Sequence, residues 1–306
     1  MEHKIEYTTY VRIRMQNLLF KIDNLIEGQV VKRPSKYIKT PYVADVKCTE
    51  TEEEVLGHTA SLGCCGLADM NATVLMTVSP TPKTATKPKN EKGLKCSHTI
   101  YLSVLKSLND EKEQIVGIHP KLAENLTEQA ILHNCLTRLQ NVTAYKREHA
   151  ICIPGKVDSR FDFVGIDQTG GTFIMEVKNV PLADYEDVTA KERAKMDFAG
   201  RPADSKVAYF TDGYRKKSND PVSPRALKHI RELTTIVKET NTRCIMCYVI
   251  QRTDVNRFQP SVIDPEYRQA FKEAVQAGVE VITMVIEWNR NGEAHFVRDD
   301  LPICLD

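Results

Sequence analysis

Long apolar runs are missing from this 306-residue chain. The longest, Cys244 to Ile250 and Val279 to Ile286, fall far short of the roughly 20 residues that a membrane-spanning helix needs, so they read as buried strands and no membrane association is expected. GxGxxG, GxxxxGK followed by Ser or Thr, and HExxH are absent too, which removes the simplest dinucleotide, nucleoside-triphosphate and zinc-protease readings. Glu2, His3, Lys4, Glu6 and Arg12 interrupt what would have to be an apolar signal core, so secretion is not expected. A disulfide framework is lacking as well. Nine cysteines, an odd count without regular spacing, suit free thiols in a reducing intracellular compartment, cytoplasm or nucleus. Cys244 and Cys247 form a CxxC, but on an extended strand an offset of three points the sulfurs to opposite faces, which argues against zinc. Cys64 and Cys65 have no His-rich partner segment.

Bulk charge is also small, with a formal net charge of +1, so any affinity for nucleic acid must come from local clusters. Such clusters are present: Lys32, Arg33, Lys36 and Lys39, the segment Lys83 to Lys95, and Arg215, Lys216 and Lys217, with Tyr37, Tyr42, Tyr209 and Tyr214 nearby. Basic groups can track a phosphate backbone while the rings stack on bases; the alternative is that these are solvated loops.

Between Ser79 and Lys95 the composition shifts to Pro, Thr, Lys and Asn, the pattern of a basic linker. Short apolar segments before it, Leu18 to Ile26, Gln29 to Val31, Tyr42 to Val46 and Ala72 to Val78, predict a small β-barrel in a domain over residues 1–96. Residues 97–306 read as a second domain of α/β type. A helix is predicted over Pro120 to Gln140, then strands over 142–153, 156–166 and 172–180, and a weakly helical stretch over 184–206. Ser223-Pro224 and Asp264-Pro265 each open a helix, a strand follows each helix, and Asn291-Gly292 turns a terminal hairpin. This order implies a mixed sheet flanked by helices.

The segment Ser159 to Val180 carries the most chemistry. Asp167-Gln168-Thr169-Gly170-Gly171 separates two apolar strands, and a hairpin centred on Thr169 sets Asp162 opposite Glu176, with side-chain roots about 5 Å apart. Lys178, two residues on, projects from the same face as Glu176. Facing carboxylates repel, and a divalent cation with oxygen ligands would offset that repulsion: Mg²⁺ (or Mn²⁺) on Asp162 and Glu176. Lys178 would then act on the attacking water or the transition state. The alternative is an ordinary ion pair between Lys178 and Asp162 on a solvated face.

Ser159-Arg160-Phe161-Asp162-Phe163 and Met175-Glu176-Val177-Lys178-Asn179-Val180 resemble motifs of the sugar fermentation stimulation protein A (SfsA) family. Lys228-His229-Ile230-Arg231-Glu232-Leu233, Gln251-Arg252, Asp264-Pro265 and Ala277 to Val281 follow in that family's order. The resemblance implies an OB-like N-terminal barrel joined to a restriction-endonuclease-like, PD-(D/E)XK domain. It implies a metal-dependent nuclease acting on DNA or RNA or, alternatively, a DNA-binding regulator that keeps the fold with little activity. Asp162, Glu176 and Lys178 match the catalytic motif, Glu128 matches an acid of the preceding helix, Glu148 matches a further family acid, and Gln251 is a further catalytic candidate. Arg252, Lys228 and His229 join Lys32, Arg33, Lys36 and Tyr37 as candidate nucleic-acid contacts. A homodimer is compatible with the sequence. The chain departs from the family at His58 to Leu67, where an arginine is missing, at Phe210-Thr211-Asp212, and across Ala183 to Lys206, which resembles an insertion.

Overall fold

A computed structural model describes residues 17–60, 66–80, 95–106, 113–211, 222–240 and 242–305. Cys64 and Cys65, nearly all of the basic segment 83–95, and the cluster at 214–217 lie outside the described residues.

After a short strand β1 (Leu18–Lys21), the chain forms β2 (Ile26–Lys32), β3 (Val43–Cys48), β4 (Glu54–His58), β5 (Thr73–Val78), β6 (His98–Lys106) and β7 (Glu113–Gly117). Strands β2 to β6 pair antiparallel in the order β4-β3-β2-β5-β6, and a parallel contact of Gly57 with His98 and His58 with Thr99 closes them into a five-stranded barrel. Its core is fully buried Val30, Val46, Val74, Met76 and Ile100, and β7 continues the sheet beside β6. The boundary expected at 96/97 therefore falls too early. Residues 79–95 connect two strands of one barrel, because β6 pairs with both β5 and β4 and its Ile100 completes that barrel's core. Conversely, β1 belongs to the other sheet, where it pairs with β16.

The second unit comprises α1 (Pro120–Leu132), β8 (Ala144–Ile153), β9 (Val157–Ile166), β10 (Thr172–Val180), β11 (Ala183–Asp184), α2 (Ala190–Arg193), β12 (Lys206–Phe210), α3 (Pro224–Thr240), β13 (Arg243–Ile250), β14 (Val255–Pro260), α4 (Pro265–Ala277), β15 (Glu280–Trp288) and β16 (Glu293–Arg298). Seven strands form one sheet in the order β1-β16-β15-β13-β10-β9-β8, parallel at β15-β13-β10 and antiparallel elsewhere. Strand β13 shows how it packs. Ile245, Cys247 and Val249 join the core beneath α1, while Cys244, Met246, Tyr248 and Ile250 join the core beneath α3 and α4. The two CxxC sulfurs thus lie on opposite faces, and burial pushes both thiols up to about 12, which disfavours the thiolates a zinc ion needs.

Local chemistry fixes the ends of these elements. The Asp264 carboxylate accepts from the Tyr267 amide at 3.1 Å and caps α4, which ends at Gly278 in the left-handed region. His119 caps α1, which stops at Leu132, eight residues short of the expected end at Gln140. Within 184–206 the only described helix is the four-residue α2; polar side chains there satisfy one another instead, as with Arg201 on Glu186 at 2.7 Å.

The barrel is seated on the sheet. Arg290, in the β15–β16 turn, forks onto Glu113 of β7 at 2.6 and 2.8 Å and also reaches Glu27 of β2. Gly117 abuts the buried Gln251 so closely that a Cβ there would stand 2.4 Å from Gln251 Oε1. No helix among the described residues is long and apolar enough to cross a membrane.

Candidate metal centre

The hairpin β9–β10 forms as its sequence dictates. Asp167 Oδ1 accepts from the amides of Thr169 and Gly171 at 2.8 and 3.2 Å, and Gly170 takes φ +81°, so the turn is locked and the register follows. Pairs run from Thr172–Ile166 to Met175–Phe163. The next pair in that register would be Glu176 with Asp162, and there the ladder stops. In place of a backbone partner, the Val177 amide donates to Asp162 Oδ2 at 2.7 Å. Face alternation also breaks at this position: Phe161 packs beneath α3 and Phe163 beneath α1, which a regular strand does not permit for residues two apart. On the other side of β9, Glu148 stands at the matching position of β8 with φ +49°, and its side chain turns outward towards Arg160 at 3.9 Å.

This distortion opens a cleft of about 260 Å³ lined by Pro120, Ala123, Glu124, Asp162, Glu176, Val177, Lys178, Asn179, Phe210, Ser223, Arg225 and Ala226. It lies at the carboxyl end of a parallel strand, where the N-terminal turns of α1 and α3 converge. In an open sheet of this kind that is where ligands bind, and helix N-termini there favour negative charge.

Glu176 is buried, and its two oxygens have different fates. Oε1 accepts from Lys178 Nζ and from His229 Nδ1, whereas Oε2 is buried with no hydrogen-bond partner among the described residues. Burial raises this carboxyl, but Lys178 and His229 outweigh it and hold it below its ordinary value. Asp162 goes the other way, to about 7, because burial and then the charge of Glu176 disfavour a second anion. Each acid thus has one oxygen committed to the protein. Free oxygens on two neighbouring carboxylates are the donor set of a hard divalent cation that completes its shell with water and substrate oxygens. Among the described residues no group of three or more His, Cys, Asp or Glu side chains is assembled to hold a metal.

Other sequence candidates fall elsewhere. Lys178 pairs with Glu176, not with Asp162. Glu128 does not line the cleft: it accepts from Tyr145 at 3.1 Å and from Arg147 at 2.8 Å. The acid that α1 brings to the cleft is Glu124, one turn earlier, held by Arg147 at 2.9 Å. His229 is not a surface contact for nucleic acid, since it is buried against Phe161 and serves Glu176. Ala226, Leu227, Ile230 and Leu233 mark the apolar face of α3 on which His229 lies, and that spacing is the signal in the sequence for its buried position. Lys228 is exposed but donates to the Asp158 carbonyl at 2.6 Å, outside the cleft.

Gln251 is wholly buried and touches no open space, so it is not a catalytic contact; it accepts from Trp288 Nε1 and donates to Asn179 Oδ1, both at 2.8 Å. Arg252 is 3% exposed and forks onto Asp254 at 2.6 and 2.7 Å, which removes it from nucleic-acid recognition. Arg252→Ala should therefore destabilise the fold by about 2 kcal/mol, because buried Asp254 loses its fork and keeps only Lys206, at 2.5 Å. Urea unfolding would show this, and the folded variant should keep wild-type affinity for nucleic acid.

On the barrel, Lys32, Tyr37 and Lys36 are exposed in and beside the β2–β3 loop, with Lys36 over the Tyr37 ring at 4.9 Å and on Glu54 at 2.5 Å. Arg33 is different: its side chain is 6% exposed, donating to the Pro41 carbonyl at 2.8 Å and lying 3.5 Å from Asp69, so it braces the loop.

A five-stranded barrel seated on a mixed sheet, with facing acids and a lysine at a splayed hairpin, defines a restriction-endonuclease-like protein with an appended OB-like domain. Comparison with known proteins agrees. Residues 219–292 match the family described as "Sugar fermentation stimulation protein RE domain". A sugar fermentation stimulation protein homolog of Pseudomonas aeruginosa (strain LESB58) is 35% identical over 193 residues, 63% of this chain and 68% of that one. A homolog of Pseudomonas syringae pv. tomato (strain ATCC BAA-871 / DC3000) is 31% identical over 175 residues, and the match spans 61% of its length. The chain belongs to the sugar fermentation stimulation protein (SfsA) family. Its fold is similar to that of Pyrococcus furiosus SfsA, solved in complex with Ca²⁺, with a TM-score of 0.66 and 19% identity over 94% of this chain and 99% of that one.

Proposed function

We propose that this chain is a divalent-metal-dependent nuclease that hydrolyses phosphodiester bonds of DNA or RNA. The observation that carries this reading is Glu176, buried with one oxygen fixed by Lys178 and His229 and the other unpartnered beside Asp162 in a cleft. An orphaned buried carboxylate oxygen costs stability in any fold that does not use it. Asp162 and Glu176 would hold Mg²⁺ or Mn²⁺, and such an ion supplies charge at a phosphoryl oxygen and a more acidic water. The Pyrococcus relative's complex with Ca²⁺, another hard oxygen-seeking cation, supports the same donor chemistry.

The chain's own groups do the rest. His229 and the Val177 amide orient one carboxylate each. Lys178 spends one of its three N–H donors on Glu176, leaving two for the attacking water or the charge that develops on phosphorus-bound oxygens. The barrel would supply sequence-tolerant affinity through Lys32, Lys36 and Tyr37. Replacing both lysines by alanine should weaken oligonucleotide binding about equally for unrelated sequences and flatten its salt dependence. Fluorescence anisotropy at several salt concentrations tests this, and an unchanged slope would mark the loop as merely solvated.

A pure nucleic-acid-binding regulator has no use for the unpaired Glu176 oxygen. Single-stranded, double-stranded and hybrid substrates incubated with Mg²⁺, Mn²⁺ or chelator separate the two readings: cleavage of at least one substrate with metal and none with chelator is expected. Binding without cleavage under every condition would favour the regulator.

A further inference from the structure

Donor-only chemistry can be traced from the domain interface into the cleft. The Trp288 indole N–H can only donate, so the oxygen of Gln251 must face it, at 2.8 Å. The Gln251 amide nitrogen is thereby turned towards Asn179 and donates to Asn179 Oδ1, also at 2.8 Å. With its carbonyl occupied, Asn179 keeps an amide N–H₂ that has no acceptor among the described residues, and Asn179 lines the cleft. Gly117 lies close against Gln251 on the barrel side, and turning the amide over would set its N–H₂ against the donor-only indole of Trp288 and its oxygen against Asn179 Oδ1.

Arg225 lines the same cleft from the first turn of α3. It is exposed and has no carboxylate or carbonyl partner among the described residues, unlike Arg147, Arg193, Arg243, Arg252 and Arg290, which are all paired. Two donor groups with no partner among the described residues, one neutral and one cationic, therefore line a cleft that also carries Asp162, Glu176 and Glu124. The carboxylates suit a cation; the donors suit an anion.

We propose that Asn179 and Arg225 grip the phosphate backbone of the substrate strand beside the bond that is cut, and that Gln251 is a positioning residue that keeps Asn179 in its donating orientation. The proposal rests on the nuclease reading for the identity of its ligand. It divides the cleft: acids on the metal, Asn179 and Arg225 on phosphate oxygens, with Arg225 able to take two oxygens of one phosphate in a fork.

The test uses the full chain with a fluorescein-labelled DNA and a fluorescein-labelled RNA oligonucleotide, each single-stranded and as duplex, with chelator present so that nothing is cut. Arg225→Ala should weaken binding about tenfold and lower the slope of log affinity against log salt by about one, as loss of one phosphate contact does. Asn179→Asp keeps the bond from Gln251 but turns the free donor into an acceptor, and should weaken binding at least about tenfold. Asn179→Ser, which retains a donor, should lose less. Manganese affinity, read by calorimetry, should stay at the wild-type value in Arg225→Ala.

Wild-type affinity and salt slope in both Arg225→Ala and Asn179→Asp would overturn the proposal, as would failure of the wild-type chain to bind either probe. If the variants weaken binding but the wild type takes up no metal and cuts nothing, the phosphate grip stands and the nuclease reading falls. If the wild type cuts and these variants match it in affinity, the grip falls alone.

Discussion

Lys178→Ala is expected to lower single-turnover cleavage by at least about a hundredfold while leaving metal affinity at pH 8 within a few-fold of wild type. The acids and the lysine share the hairpin but differ in what they offer. Asp162 and Glu176 each present a free oxygen, whereas Lys178 presents N–H donors and a positive charge from a side chain that is 12% exposed. Loss of that charge removes the favourable contact with developing negative charge on the transferring group, which a water in its place restores only weakly. It also removes one of two groups that keep Glu176 ionised, so metal affinity should fall more steeply on acidification than in wild type, with His229 alone left to hold the carboxylate down. Gel analysis of single-turnover reactions at saturating metal and substrate checks the rate. Equal rates for variant and wild type would remove Lys178 from the chemistry.

Asp162→Asn should act in opposite directions on activity and stability. Cleavage should be lost, because the free oxygen needed by the cation becomes a neutral amide. The metal-free fold should become more stable. Asp162 has its carboxyl held at about 7, against an ordinary value of 3.8, by burial and by the charge of Glu176. Below about pH 4 the group is protonated whether the chain is folded or not, and it contributes nothing. Between about pH 4 and 7 the folded chain keeps a proton that the unfolded chain has lost, so stability falls as pH rises, and the full penalty applies above pH 7. That penalty amounts to up to about 4 kcal/mol, the shift taken at 1.36 kcal/mol per pH unit. Asparagine does not ionise and its oxygen still accepts from the Val177 amide. Urea unfolding in chelator should therefore show the variant gaining on wild type as pH rises from 5 to 8. Adding Mn²⁺ should stabilise wild type and leave the variant unchanged. A variant less stable than wild type at pH 8 without metal would contradict this account of the site.

The hairpin was readable because its information is local. Asp167, Gly170 and Gly171 fix a turn, the turn fixes register, and register puts Asp162 opposite Glu176, with Lys178 two residues along. What register alone does not reveal is that the ladder breaks there, so that Asp162 takes a backbone amide and the strands open into a cleft. The helix acid was misplaced by one turn for a related reason. Glu124 and Glu128 lie on the same face of α1 and share Arg147, and only the angle at which α1 meets the sheet selects Glu124 for the cleft. Arg252 carried its own warning in Asp254, two residues on, since a buried guanidinium needs a carboxylate. The barrel boundary was not readable from composition. Closure depends on β6 pairing with β4 across about forty intervening residues, and such non-local pairing leaves no local mark in the sequence.

Everything chemical in this reading depends on whether Glu176 binds a divalent cation. Calorimetric titration of Mn²⁺ into wild-type protein and into Glu176→Gln, at pH 8 and with no nucleic acid present, measures that directly. The account predicts saturable binding by the wild type and an affinity at least about tenfold weaker in the variant, the loss expected when an ionised oxygen donor becomes a neutral amide. Equal affinities, or no saturable binding by the wild type, would contradict it.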